Sequence, residues 1–217
     1  MALSKFNFNS FDVTTAASTG LGFNASANGF STINPGAMTL IKTLTASSSS
    51  TLSFVHGSSD VVLDSTYPVY MFKLINIHPA TDGQAIMFQG SINTGSAYGV
   101  NITSTWFQAR HTEDGGTTSL AYSTGKDLAQ STSFQSFMFS GNANDESCSG
   151  EIFLFNPSST TFVKHFMTSH SESTLHDYNV SNHVAGYFNT TSAINAIKFS
   201  MSSGNIDSGT FKLYGVT

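Results

Sequence analysis

The end of the chain alternates strictly between apolar and polar side chains. The apolar positions of this pattern are Ile197, Phe199, Met201, Phe211 and Leu213. A period of two residues is that of a β-strand with one apolar face. The segment Ser203–Gly209 between the two halves supplies glycine, asparagine and aspartate, which favour a turn. We therefore predict a C-terminal hairpin, whose apolar face gains free energy only when another sheet covers it.

The composition fits a sheet protein with an unusually uncharged surface. The chain of 217 residues has 19 Phe and 7 Tyr, and 61 of its residues are Ser or Thr, but only 10% are charged. A surface of hydroxyls and amides has few long, flexible side chains, so packing against neighbours loses little side-chain entropy. We expect the protein to act in an assembled state. A secreted adhesin or a sugar-binding module with the same polar surface is the alternative.

Charge, hydropathy and cysteine content argue against several classes of protein. A net charge of −5 and a single arginine, Arg110, speak against a nucleic-acid partner, which requires clustered Lys and Arg. No stretch approaches the roughly 20 apolar residues of a membrane helix, and the first ten residues do not resemble a signal peptide. Cys148 is the only cysteine, so we expect neither an internal disulfide nor a multi-cysteine metal site. Folding in a reducing cytoplasm is compatible with this content.

The first 36 residues differ from the rest of the chain. Small and polar residues are interrupted by isolated aromatics, and the segment ends in Asn34-Pro35-Gly36. We predict an extended N-terminal arm over 1–36 and a β-sandwich domain over 37–217. The aromatics would anchor the arm in pockets of a partner subunit. These residues are Phe6, Phe8, Phe11, Phe23 and Phe30. The alternative is a first strand and a loop that pack on their own domain.

Strand signals recur closely from Met38 onward. We predict one hairpin from 38–45 and 51–55 and a second from 69–77 and 85–88. Later strands are expected around 98–102, 106–109, 117–122, 134–139, 152–155, 162–167 and 185–188. The polar, histidine-bearing stretch 169–184 is interpreted as a loop. Helix content should be low, with one turn near 126–131.

About eight to twelve short strands at this spacing predict an all-β protein with two packed antiparallel sheets. A jelly roll is the favoured topology. An immunoglobulin-like sandwich is the alternative, although that fold usually needs fewer residues.

The string SGNIDSGTFKLYGV, at 203–216, resembles the C-terminal end of virion structural proteins of tailed bacteriophages, particularly marine ones. The similarity extends more loosely to 150–157 and 70–77. The resemblance implies a component of the virion, assembled in the host cytoplasm, and agrees with a jelly roll. The implied partners are other copies of the chain and virion proteins such as the major capsid protein. A homotrimer is the expected unit, on the analogy of other jelly-roll proteins and not on particular residues.

No metal site is predicted from the histidines. Four of them fall in one quarter of the chain, namely His165, His170, His176 and His183. Their spacing matches neither the i, i+4 pair of a zinc helix nor the alternation that would align ligands on one strand. We interpret them as loop or sheet-surface residues. A threefold axis could still bring one histidine from each of three subunits together.

No catalytic residue and no cofactor is predicted either. Glycan hydrolysis needs two carboxylates at a fixed separation. The candidates are Glu113, Asp114, Asp145, Glu146, Glu151, Glu172 and Asp177, and we interpret them as turn or solvated residues. The sequence contains no nucleophile elbow, P-loop or dinucleotide-binding fingerprint. A depolymerase is therefore the least favoured function.

A glycan-binding surface is a weaker alternative. Trp106, Tyr98 and Tyr122 are the aromatic residues that could stack on sugars, although a strand tryptophan is more often part of the core. The leading expectation is a non-enzymatic virion protein that decorates or cements the head surface through sheet faces and the arm. A tail, baseplate or fibre-tip protein that binds a host receptor or glycan is the alternative.

Overall fold

A computed structural model describes residues 20–23, 26, 29–33 and 37–217. The chain divides into two compact units between Thr39 and Leu40. In the first unit, strands β1 (Gly20–Phe23) and β2 (Phe30–Ile33) pair antiparallel. The rings of Phe23 and Phe30 stack there, with centroids 5.2 Å apart.

The second unit is built from antiparallel strands in two sheets. The strands are β3 (Met38–Ser49), β4 (Thr51–Val55), β5 (Val69–Pro79), β6 (Gln84–Ser91), β7 (Ile102–Thr112), β8 (Thr118–Tyr122), β9 (Gln135–Ser140), β10 (Cys148–Phe155), β11 (Lys164–Thr174), β12 (Tyr178–Phe188), β13 (Ala196–Met201) and β14 (Ile206–Val216). The large sheet has the order β3-β14-β5-β10-β11-β12-β7-β8, and the small sheet has the order β4-β13-β6-β9. Within the described ranges no helix is long and apolar enough to cross a membrane.

The strand order is that of a jelly roll. If β3, β4, β5, β6, β9, β10, β13 and β14 are numbered one to eight, one sheet reads 1-8-3-6 and the other 2-7-4-5. The pairs β7–β8 and β11–β12 are insertions that extend the large sheet beyond β10. The predicted all-β antiparallel sandwich is therefore confirmed, and its favoured topology with it.

The three predicted hairpins are wrong in their pairing. Strands β3 and β4, β5 and β6, and β13 and β14 follow each other in the chain but lie in different sheets. Each short connection therefore crosses between the layers, and Gly83 (φ 63°) and Gly204 (φ 71°) supply left-handed backbone in two of them. The alternation of side chains showed correctly which face is buried, but it carries no information on the hydrogen-bonding partner.

The prediction of a loop over 169–184 is also wrong. This stretch forms most of β11 and β12, which pair with each other. The strand signal was hidden because the inward positions His170, Glu172 and Asn182 are polar, as are most of the outward ones. The segment 126–131, where a helical turn was expected, contains no helix.

Aromatic rings fill the space between the two sheets. Phe72 of the large sheet contacts Phe54 and Phe199 of the small sheet, with ring centroids 5.4 and 5.7 Å apart. Phe88 of the small sheet contacts Phe166 of the large sheet edge to face, with centroids 5.1 Å apart. These contacts between layers, and not hairpin contacts, hold the strands β3 and β4, β5 and β6, and β13 and β14 together.

We predict that Phe88→Ala lowers the free energy of unfolding by about 3–5 kcal/mol, because it leaves a cavity among rings from both sheets. Urea denaturation of the full chain measures this change. Phe162→Ala is the control, since that ring is 70% exposed and its loss should change stability by no more than about 0.5 kcal/mol. Equal effects of the two substitutions would contradict the proposed packing.

Candidate functional site

The face of β11 that points into the sandwich is largely polar. Every second side chain of this strand is buried, and the inward ones are Lys164, Phe166, Thr168, His170 and Glu172. The neighbouring strand β12 adds Asn182, which is also buried. Burying a polar strand face in a core costs free energy wherever its groups lack hydrogen-bond partners.

Glu172 is the centre of a hydrogen-bonded cluster that joins four strands. Its Oε1 accepts a bond from Nδ2 of Asn182 at 2.5 Å, and its Oε2 accepts one from the backbone N–H of Phe139. The Oδ1 of Asn182 in turn accepts a bond from Nε1 of Trp106 at 3.0 Å. Phe139 lies on β9, an edge strand of the small sheet. Its N–H therefore has no neighbouring strand to bond, and the Glu172 carboxyl supplies the acceptor instead.

Burial sets the charge of this cluster. Glu172 is 2% exposed, and burial raises its pKa to about 8 although both N–H donors act to lower it. The carboxyl is therefore mainly protonated at neutral pH. Burial also raises the pKa of the Cys148 thiol, and the nearby Glu172 adds to this effect. The cluster is consequently a neutral, hydrogen-bonded part of the core.

His170 lies beside this cluster without any hydrogen bond to either ring nitrogen. Its ring meets Phe137 edge to face, with centroids 5.8 Å apart. Gly150 lies opposite on β10, where an added Cβ would come within 2.2 Å of the His170 Cβ. Burial first and the nearby His183 second lower the pKa of His170 to about 3. The imidazole is therefore neutral.

The other histidines do not converge with His170. His165 contacts Tyr187 on the outer face of the large sheet, and His183 stacks on Phe107 with centroids 5.0 Å apart. His176 lies in the turn before β12. Among the residues that the structure describes, no three His, Cys, Asp or Glu side chains are grouped so that they could hold a metal ion.

One of the seven candidate carboxylates differs from its prediction. Glu172 is a buried strand residue and not a turn or solvated residue, because the polar alternation of β11 places it inward. Glu151 is on a strand with its carboxylate 4.0 Å from Lys73. The remaining five lie in turns or loops, as predicted: Glu113, Asp114, Asp145, Glu146 and Asp177. The sealed position of Glu172 prevents it from reaching a substrate at the surface.

The three candidate sugar-stacking residues do not form one platform. Trp106 is 1% exposed and packs on Phe139, so its ring presents no face to solvent. It points inward because it alternates with the outward residues of β7. Tyr98 is half-buried beneath Lys198, whose Nζ is 4.0 Å from the ring centroid. Only Tyr122 is well exposed, and its hydroxyl donates to Asp127.

The outer face of the large sheet carries exposed apolar side chains. The most exposed of those on β7, β8 and β11 are Phe107, Leu120, Tyr122 and Met167. Phe107 and Tyr122 are cross-strand neighbours, and Met167 lies opposite Phe153 and Ala185. A shallow groove of about 420 Å³ is lined mainly by apolar atoms, and Met167, His165 and Tyr187 are among its lining residues. Exposed apolar surface of this kind marks interaction sites.

The predicted arm residues are described only in part. Phe6, Phe8 and Phe11 lie outside the described residues, whereas Phe23 and Phe30 form the stacked pair of the β1–β2 hairpin and are exposed. Their role as interface anchors stays a prediction. Comparison of the chain with protein-family models, with curated proteins and with solved structures finds no match.

Glu172 and His170 predict a specific dependence of stability on pH. Glu172 has a pKa of about 8 in the folded protein and an ordinary value of 4.5, so its contribution to the free energy of unfolding falls as the pH rises between these values. His170 has a pKa of about 3 and an ordinary value of 6.5, so its contribution falls as the pH decreases between them. The two slopes oppose each other from pH 4.5 to 6.5.

We therefore expect the melting temperature to decline from about pH 6.5 to pH 8, where the raised pKa of Glu172 is no longer opposed by His170. Glu172→Gln imitates the protonated carboxyl and should flatten this decline. Calorimetry of the full chain between pH 4 and 9 measures it. Glu151→Gln, the same substitution on the outer face, is the matched control and should leave the decline unchanged. An unchanged slope in Glu172→Gln would show that burial does not hold the proton on this carboxyl.

Proposed function

We propose that this protein is a non-enzymatic structural component of a tailed-bacteriophage virion. The favoured location is the head surface, where it would act as a decoration or cement protein. A tail, baseplate or fibre-tip position, with a host receptor or glycan as its ligand, is the second location. The resemblance of the C-terminal segment 203–216 to phage virion proteins supports this class of function.

The observation that carries the proposal is the outer face of the large sheet. Phe107, Leu120, Tyr122 and Met167 expose apolar surface there and gain free energy only when another surface covers them. Hydroxyl-bearing residues such as Ser169, Ser171 and Ser181 surround them on β11 and β12. Short hydroxyl side chains lose little entropy on burial, so this face suits close lateral packing.

The buried polar cluster also supports a structural role. Burial strongly perturbs the pKa values of Glu172 and His170, and groups of this kind often act in catalysis. Here both are enclosed, and Glu172 satisfies backbone and side-chain donors of β9 and β12. Glu172 thus links the inserted strands to β9 of the small sheet, and the His170 ring packs on Phe137 of the same strand.

The proposed mechanism is surface burial repeated by symmetry. Each copy contributes a modest free energy at each contact, and the particle gains the sum of these contacts. The arm, 1–36, would add aromatic anchors on a neighbouring subunit. A homotrimer is the proposed unit, and the major capsid protein is the proposed partner on the head.

The proposal is tested by fractionating purified particles of the phage that encodes the chain. Mass spectrometry should detect the polypeptide in particles and, for the decoration role, in emptied heads. Detection in detached tails would favour the second location, to which Tyr122 would contribute its exposed ring. A polypeptide that is made during infection but absent from the particles would refute the proposal.

Deletion of 1–36 tests the arm. We expect the remaining domain to fold, with the circular dichroism of the full chain, but to be incorporated into particles at least about ten-fold less, because the aromatic anchors at the interface are lost. An insoluble product would contradict the arm and favour a segment that packs on its own domain. The Phe6→Ala/Phe8→Ala variant of the full chain separates loss of anchors from loss of the whole segment.

A further inference from the structure

Strand β8 forms an open end of the large sheet. It pairs with β7 on one side, over five consecutive residue pairs without a bulge, and it is the last strand in the sheet order. Within the described residues no strand lies on its other side. Such an edge offers a row of free N–H and C=O groups to another strand.

The hydrogen bonds at both ends of the β7–β8 pair show which groups are free. The N–H of Thr112 donates to Thr117 O at 3.0 Å, and the N–H of Ser123 donates to Trp106 O at 2.9 Å. Thr117 and Ser123 are thus hydrogen-bonded to β7, and such positions recur at every second residue of an antiparallel strand. Ser119 and Ala121 therefore also direct their backbone groups toward β7. Thr118, Leu120 and Tyr122 therefore direct theirs away from the sheet.

This edge also lacks the usual protection against pairing. The sequence Thr118–Tyr122 contains no charged residue, proline or glycine. Leu120 is 75% exposed and Tyr122 is 52% exposed. The contrast with β9 is clear, because Glu172 occupies the backbone N–H of Phe139 at that edge.

We propose that two copies of the chain join through β8, as an antiparallel pair about a two-fold axis at Leu120. The axis would place Leu120 opposite Leu120 of the second copy, and Thr118 opposite its Tyr122. In this register residues 118, 120 and 122 of one copy lie opposite residues 122, 120 and 118 of the other. All of them direct their backbone groups outward, so each free N–H lies opposite a free C=O. Two eight-stranded sheets become one continuous sheet.

The second copy is the occupant that fits best because the edge is complementary to itself. Strand β8 itself carries no charged side chain, so no like charges would lie directly opposite each other in the pair. The exposed Leu120 side chains would cover each other on the outer face, beside Phe107 and Tyr122. The inference refines the self-association in the proposed function and rests on it for its biological role.

Light scattering of the full chain, with Leu120→Pro, is the first test. Proline removes the outward N–H but no N–H that β7 uses, so the fold should persist. We expect the mass of the assembly to fall two-fold, from dimer to monomer or from a pair of trimers to one trimer. Leu120→Val keeps the N–H and most of the apolar surface, and should keep the mass.

Cysteine cross-linking tests the register and remains informative if Leu120→Pro fails to fold. Opposed residues in a hydrogen-bonded antiparallel pair have Cα atoms about 5.5 Å apart, within reach of a disulfide. Leu120→Cys should therefore form a covalent dimer under mild oxidation. Thr118→Cys should not do so alone, because its two copies would lie about 13 Å apart, but should cross-link when mixed with Tyr122→Cys. The native Cys148 is buried and provides a low background.

The outcomes separate the inference from the proposed function. Assembly that survives Leu120→Pro, together with no Leu120→Cys dimer, would overturn the β8 contact and leave self-association through another surface. A wild-type chain that stays monomeric at every concentration would overturn both the contact and the self-association on which it rests. Loss of mass in Leu120→Pro with a Leu120→Cys dimer is the result expected.

Discussion

The fold depends on the contact of aromatic rings across the two sheets. Apart from β6 and β9, consecutive strands of the jelly-roll core lie in different sheets, so burial between the layers must hold them in place. Phe72 contacts Phe54 and Phe199, and Phe88 contacts Phe166 and Phe188, in each case across the sandwich. Rings of this size contribute much of the buried apolar area of a core. The short connections between β3 and β4 or β13 and β14 are possible because this interlayer burial compensates for the missing hairpin bonds.

The two inserted strand pairs make the large sheet wider than the small sheet at one side of the sandwich. The large sheet continues through β11, β12, β7 and β8, whereas the small sheet ends at β9. The edge of β9 therefore faces the inserted strands, and a backbone N–H there needs an acceptor. Glu172 supplies it and is linked through Asn182 to Trp106. The pKa of Glu172 is raised because a carboxylate that accepts hydrogen bonds inside the core has lost its hydration.

The sequence predicted the fold class well and the strand partners poorly. Ile197, Phe199, Met201, Phe211 and Leu213 are all buried, as their alternation indicated. Alternation, however, shows only which face of a strand is buried. It cannot show whether the next strand pairs with it, as in a meander, or lies in the other sheet, as mostly happens in this jelly roll. The buried cluster was missed for another reason: apolar periodicity cannot detect polar inward residues. The spacing of Thr168, His170 and Glu172 at two-residue intervals was the available signal, and Gly150 opposite His170 has meaning only once the register is known.

The edges of the two sheets are treated differently, and this difference points to function. The protein places a charge-capable side chain inside its core to close the edge at β9, which carries a desolvation cost. The same chain leaves β8 uncharged, regular and apolar, although one lysine there would block pairing. An edge left open in a protein that closes another edge at such a cost is best explained if pairing at that edge is part of its assembly. The outward apolar residues on β7, β8 and β11 agree with this explanation, because an edge-to-edge contact would extend their common face from one copy to the next.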